Sequence, residues 1–382
     1  MPRETEKIDL PCSSPGTLRQ LQAVHRWGPR GQDRAYIQAS LHADEIPGML
    51  VANHLCRLLD RADACGLVLN KEIVVIPFAN PIGLSQNILG SHMGRFSLSS
   101  GTNFNRDWPD VGNAVIEKIR GKLTQDADRN VATIRAAILE ELESVRPLKE
   151  DAAMKHALFR LAATADIALD LHCDSDAVMH MYTHDNLWPE FSDLASELAS
   201  RCQLLAADSG GNCFDEACSC LWAAISNEYP DHLVPMACQS CTVELRGDRE
   251  VYDDMALTDA TALFRFLQRR GYIGESKEFP VGPLPNLLRM ATPLTGVEMI
   301  EAPAAGVIAW NIRAGDHVNT GDVLGEIVDV ADLDAPRIAV VSRTCGIVFG
   351  MRGHKLVRPG EIIVKVSGEE PLEWRKGYLL TA

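Results

Sequence analysis

The feature that most constrains the fold of this chain is an alternation of strand-like and helix-like runs, which gives way late in the sequence to short, glycine-punctuated β runs. RAYIQASL reads as a strand, IPGMLVANHLCRLLDRA as a helix and EIVVIPFAN as the next strand. DIALDLHC, AVMHMYTH and CTVELRG add further short β-rich runs. Apolar residues recur at helical spacing in AVIEKIRGKLTQDADRNVATIRAAILEELESV, PEFSDLASELASRC and MALTDATALFRFLQRRGY. Strands alternating with long helices predict an α/β fold, with a mainly parallel or mixed central sheet flanked by helices.

Between 275 and 292 the chain becomes a Pro-rich connection, FPVGPLPNLLRMATP, which reads as a linker. We expect a catalytic domain over 1–285 and a smaller all-β domain over 286–382. The second region holds a quasi-repeat: GVIAWNIRAGDHVNTGDVLGEI (306–327) and GIVFGMRGHKLVRPGEIIVKV (346–366), offset by 40 residues. Each half runs from Gly through an apolar strand and a turn into a second strand, so the pair predicts a barrel-sandwich with approximate two-fold symmetry. The pattern resembles biotinyl/lipoyl-type domains, whose modified Lys sits in the hairpin between the halves. The corresponding stretch here, VDVADLDAPRIAVVSRT, contains no Lys, which argues against a carrier role and for a structural, lid or assembly element.

A chain of 382 residues can bury one large core and a smaller one. The net charge of −15 argues against nucleic acid as a partner, because phosphate binding needs a basic surface. It mildly favours cationic or zwitterionic ligands. No apolar run reaches the roughly 18 to 20 residues that span a bilayer, so no membrane partner is expected. The N-terminal MPRETEKIDLPCSSPG lacks the apolar stretch of a signal peptide, and with 11 cysteines the expectation is a cytoplasmic protein with reduced thiols.

Three of the strand-like runs end in residues able to bind a metal. His42 and Glu45 lie in SLHADE, and His172 lies in ALDLHCD. Two His and one carboxylate leave a fourth tetrahedral position for water, the catalytic zinc pattern. His-x-x-Glu alone is a weak signal, and its plain reading is a surface pair at a helix start. Here a strand ends at Leu41 and Pro47 opens a helix, so both groups fall on a tight strand-to-helix turn. Asp170, His172 and Asp174 share one strand face, and either Asp could orient the imidazole. His180 and His184 in AVMHMYTH compete with His172 as ligands.

The third segment, TVELRGD, places Glu244 in a run otherwise suited to burial. A buried carboxylate needs a partner or a function. An ion pair with Arg246 on the same face is the structural alternative to a general base. The polar loop NPIGLSQNILGSHMGRFSLSSGTNFNRDWPD supplies Arg95, Asn105 and Arg106, which suit carboxylate or oxyanion binding, although loop arginines are ordinarily solvated. Cys213, Cys218, Cys220, Cys238 and Cys241 include a CQSC spacing, but its would-be partner CSC lacks the two-residue gap. Buried reduced thiols are the favoured reading over a second metal site.

Taken in order, HADE, NPIG, NFNRD, DLH and VELR resemble the succinylglutamate desuccinylase/aspartoacylase family of zinc carboxypeptidase-like enzymes, over roughly residues 30 to 265. The resemblance implies that His42, Glu45 and His172 bind one Zn²⁺ per chain and that Glu244 is the general base. It also implies that Asn105 and Arg106 bind a substrate carboxylate, that Arg95 polarises the scissile carbonyl, and that a β-rich domain follows the catalytic one. The implied substrate is a small N-acyl amino acid. The helical stretch from 112 to 160 is long for the family, and no residue can be assigned as the capping Tyr of carboxypeptidase relatives. A peptide-trimming metallocarboxypeptidase and a non-catalytic scaffold are the competing readings, and whether the chain forms a homo-oligomer is open. A pocket sealed by the C-terminal domain would favour the amidohydrolase; an open groove would favour the peptidase.

Overall fold

The computed structural model describes residues 3–31, 33–68, 71–188 and 190–380. Its centre is a nine-stranded mixed sheet. The middle of this sheet is a parallel trio in which Ile167–Asp174 lies between Arg34–Ala39 and Gln239–Gly247. Glu72–Ile76 adds in parallel beside Arg34–Ala39, and His180–Thr183 pairs antiparallel with Gln239–Gly247 on the other flank.

Period-2 alternation explains how this sheet divides its two faces. Ala35, Ile37 and Ala39, then Ile167, Leu169 and Leu171, then Cys241, Val243 and Leu245 all enter one apolar core. The helices Pro47–Ala64 and Asp253–Arg269 cover that side. The alternate residues Tyr36, Gln38, Ala168, Asp170, His172, Thr242 and Glu244 therefore point to the opposite face. There Tyr36 and Ala168 join a second core with the helices Ala127–Ser144, Glu150–Ala162 and Phe214–Glu228. Polar residues replace apolar ones on this face only toward the carboxyl ends of the strands, and the site forms there.

The long periodic stretch from 114 to 145 is two helices, not one. Gly112–Ile119 stops before Gly121, whose φ of 69° suits glycine, and Asp126 caps Ala127–Ser144 by accepting from Arg129 N–H at 3.1 Å. Of the periodic PEFSDLASELASRC, Pro189 lies outside the described residues, and the helix covers Ser192–Glu197 before Cys202–Leu205 turns to strand.

The C-terminal region is all β, and its halves interlock. Gly306–Trp310 pairs with Val323–Val328 of its own half and with Leu356–Val357 of the other. Gly346–Met351 likewise pairs with Ile362–Ser367 and with His317–Val318 of the first half. Each half thus lends its short strand to its partner's sheet, the two-fold arrangement expected from the repeat. The two regions are stitched together. Asp176–Ala177 leaves the central sheet to pair with Gly350 and Met351, while Thr292–Pro293 forms the outermost strand of the nine.

Candidate metal centre and active site

The strand Arg34–Ala39 ends at Ser40, which adopts a left-handed φ of 59° and turns the chain abruptly into His42 and Glu45. Left-handed backbone at a non-glycine residue costs energy and is typical of functional turns. Supports pack tightly around this turn. Asn80 donates from Nδ2 to the Leu41 carbonyl at 2.8 Å and accepts from Gly83 N–H at 2.8 Å. Ala43 N–H donates to the Gly94 carbonyl at 3.0 Å, and a Cβ on Gly94 would lie 2.0 Å from Asp44 N. The glycine lets the loop that carries Arg95 lie against the turn that carries His42 and Glu45.

The sequence-predicted ligands His42, Glu45 and His172 come together, buried, with one donor atom from each lying within 4.8 Å of the others. Glu45 bridges the two rings: Oε1 is 2.9 Å from His42 Nδ1 and Oε2 is 2.6 Å from His172 Nδ1. The far nitrogens are occupied by acceptors. Asn103 Oδ1 lies 2.8 Å from His42 Nε2 and also accepts from Asn105 N–H at 2.8 Å, so it is the amide oxygen and His42 Nε2 must be the donor. Asp170 Oδ2 accepts a hydrogen bond from His172 Nε2–H at 2.8 Å. Asp170 is held in turn by Gln38, which accepts from Tyr36. Both rings therefore present Nδ1 inward, the carboxylate–imidazole arrangement common behind metal ligands. Asp170, not Asp174, is the orienting carboxylate, because Asp174 pairs with Lys365 of the β region.

Electrostatics follow from burial and from these pairs. Burial alone would raise the carboxyl of Glu45, but the charges and hydrogen bonds of His172 and His42 outweigh it and hold it well below the ordinary range. Glu244 behaves oppositely. Burial, then the charge of Glu45, push it up to about 8. It stands in register beside His172 on one strand and His180 on the other, and its Oε2 is buried with no hydrogen-bond partner. The expected alternative, an ion pair with Arg246, does not form. A bulge between Glu244 and Gly247 and a φ of 64° turn Arg246 through the sheet to pair with Asp259 on the opposite helix layer.

Arg95 places Nη1 3.3 Å from both Glu45 Oε1 and His42 Nδ1. Asn105 is pinned by Trp108 Nε1 and Phe214 N–H, both donating to its Oδ1, and Arg106 lines the same cavity. Sequence reasoning missed Lys155, a lysine on the buried face of an amphipathic helix. Its Nζ donates to the carbonyls of Asn103 and Arg106, at 3.1 and 2.5 Å, and so fixes the loop between them. It also missed Asn103, although NFN placed it two residues from Asn105.

His180 is wedged between Tyr182 and Phe349, where burial pulls it down to about 4, and His184 accepts from Asn186 N–H. Neither joins the ligand group. Cys213, Cys218, Cys238 and Cys241 are buried thiols and Cys220 is part-buried; among the described residues they form no ligand group. Leu294, Met299, Lys365 and Leu380 from the C-terminal region complete the cavity wall.

Because imidazole Nε2 must be held by an acceptor for Nδ1 to face inward, replacing Asp170 with Asn should weaken metal binding by roughly 10- to 100-fold. Metal titration with a competing chelator measures this, and an unchanged affinity would remove Asp170 from that role.

Residues 32–270 match the Succinylglutamate desuccinylase/Aspartoacylase catalytic domain. No curated protein matches the chain significantly. Among solved structures, a succinylglutamate desuccinylase/aspartoacylase family protein from Shewanella amazonensis SB2B superposes with a TM-score of 0.82 at 22% identity, covering 96% of this chain and 98% of its own. One from Shewanella frigidimarina NCIMB 400 gives 0.83 at 22%, covering 96% and 97%. The product-bound ectoine utilization protein EutE (DoeB) from Ruegeria pomeroyi gives 0.68 at 16%, covering 96% and 95%. At these identities the likeness concerns the fold.

Proposed function

Because this chain belongs to the succinylglutamate desuccinylase/aspartoacylase family, a family of deacylases, we propose that it is a zinc-dependent amidohydrolase that cleaves the amide bond of an N-acyl amino acid. One observation carries the reading: Glu244, with one carboxylate oxygen buried and, among the described residues, unpartnered, shares a cavity with the cluster of His42, Glu45 and His172. Two imidazole nitrogens and a carboxylate fit zinc, and leave room for a fourth group. Zinc held there would polarise a carbonyl and lower the pKa of a bound water toward about 7.

The chain's own residues supply the remainder. Glu244 takes the proton of the attacking water on its carboxylate and returns it to the leaving amine nitrogen. Its raised proton affinity suits the return of the proton to the amine, and the positive charge of zinc held beside it would favour the carboxylate form that takes the proton first. Arg95 holds the scissile carbonyl oxygen, and Arg106 with Asn105 holds the substrate carboxylate.

The wall contributed by Leu294, Met299, Lys365 and Leu380 supports a small acyl amino acid over an extended peptide. The buried, unpartnered Oε2 of Glu244 speaks against a non-catalytic scaffold, which would gain nothing from that desolvation cost. Among the described residues no helix is long and apolar enough to cross a membrane, and the reduced thiols support a cytoplasmic setting. The test is a hydrolysis screen of zinc-loaded protein against N-acetyl, N-succinyl and N-formyl amino acids beside short peptides. Turnover confined to the acyl amino acids is expected. Peptide cleavage alone would overturn the substrate assignment, and inactivity throughout would overturn the hydrolase reading.

A further inference from the structure

The cavity continues past Glu244 to a wall built by the first turn of the helix Phe214–Glu228 and the segment before it. Asp215, Glu216 and Ser209 all line it. Asp215 is 6% exposed and Ser209 1%. The polar contacts of this wall are few. Cys213 Sγ donates to Asp215 Oδ1 at 3.0 Å, and Ser209 N–H donates to Glu216 Oε1 at 2.6 Å. Among the described residues no Lys, Arg or His pairs with either carboxylate. Among those residues Glu216 Oε2 and Ser209 Oγ are buried with no hydrogen-bond partner.

Acidic residues in a first helical turn ordinarily complement the helix dipole. That role is served by solvated carboxylates and does not explain two buried polar oxygens left without partners in one cavity wall. Burial and the charge of Glu216 also push Asp215 up to about 6, a strain that a positive charge beside the pair would relieve. A guanidinium that can grip a carboxylate lies close by. Arg106 packs against Gly211, where a Cβ would sit 2.8 Å from its Nε, and its charge reaches the Cys213 thiol in opposition to Asp215 and Glu216. The segment 209–213 thus meets a guanidinium at Gly211 and the two carboxylates at Ser209 and Cys213.

We infer that the amino-acid part of the substrate carries a cationic nitrogen on its side chain, held by Asp215, Glu216 and the Ser209 hydroxyl, while its carboxylate goes to Arg106. The substrate class is then an N-acyl basic amino acid. The hydrolysis part of this inference rests on the function proposed above; the recognition part does not.

Nα-acetylornithine, its neutral isostere Nα-acetylnorleucine and N-acetylglutamate separate the two. We expect kcat/KM for the ornithine compound to exceed that for the norleucine compound by about 100-fold, since a site built for a hydrogen-bonding group rejects the analogue lacking it. Glu216→Gln keeps the acceptor for Ser209 N–H, and should reduce that preference by about 10-fold or more. Asp215→Asn provides a second variant. Calorimetric titration of the zinc-loaded protein with free ornithine, norleucine and glutamate reads recognition without turnover. Equal or reversed preference in either assay, no binding of ornithine, or an unchanged preference in both variants overturns the inference. Hydrolysis of N-acetylglutamate in preference to the others would overturn it while leaving the amidohydrolase intact. Ornithine-selective binding without hydrolysis of any compound would support it and count against the amidohydrolase.

Discussion

Glu244→Gln should retain bound zinc and lose about 10²- to 10⁴-fold in turnover, the range that a positioned general base contributes. The amide is nearly isosteric with the carboxyl, and among the described residues no group hydrogen-bonds Oε2, so the substitution removes proton transfer with little disturbance of packing. Burial already disfavours the charge on Glu244, so neutralising it should not destabilise the fold. Single-turnover kinetics, zinc analysis and thermal unfolding on one preparation check all three expectations. Wild-type turnover in a zinc-replete variant would remove Glu244 from the chemistry. Lost zinc would instead make it a ligand.

Gly94→Ala should be the most damaging one-carbon addition near the site. The new Cβ would lie 2.0 Å from Asp44 N and 2.5 Å from the Ala43 carbonyl carbon, and both are backbone atoms that cannot rotate aside. The loop must lift, which breaks the Ala43 N–H to Gly94 carbonyl bond and carries Arg95 away from Glu45 and His42. Overpacking of this kind typically costs about 1–3 kcal/mol. A displacement near 1 Å at catalytic groups costs about 100-fold in rate. Thermal unfolding and kcat/KM should therefore both fall. A variant with wild-type values would show that the loop has slack that the packed backbone does not suggest.

The parts of the site that sit at strand ends were legible because alternation is a local code. Once Leu169 and Leu171 are read as core, Asp170 and His172 must face the other way, and the same holds for Thr242 and Glu244 beside Val243. Local rules could not choose between Asp170 and Asp174 as the partner of His172. That choice depends on Lys365, 191 residues from Asp174, arriving from another sheet. The same alternation placed Arg246 beside Glu244 and was overruled by one left-handed residue in a bulge. Helical periodicity ran through 114–145 because both helices bury faces of one core, and only Gly121 and the capping Asp126 mark the break. Asp215 and Glu216 look like ordinary acids of a first helical turn until the fold encloses them.

The interlocked C-terminal halves also set an order of assembly during synthesis. His42, Glu45, His172 and Glu244 have all been made by residue 244, and their strands can pair as soon as they emerge. Lys365 belongs to Ile362–Ser367, which is paired on both sides, with Val297–Glu301 and with Gly346–Met351. Neither sheet of this region is complete until the second half has returned its short strand to the first. A chain on the ribosome therefore carries this cluster, and Asp215 and Glu216 beside it, well before it has made the part of the cavity wall that Met299, Lys365 and Leu380 supply.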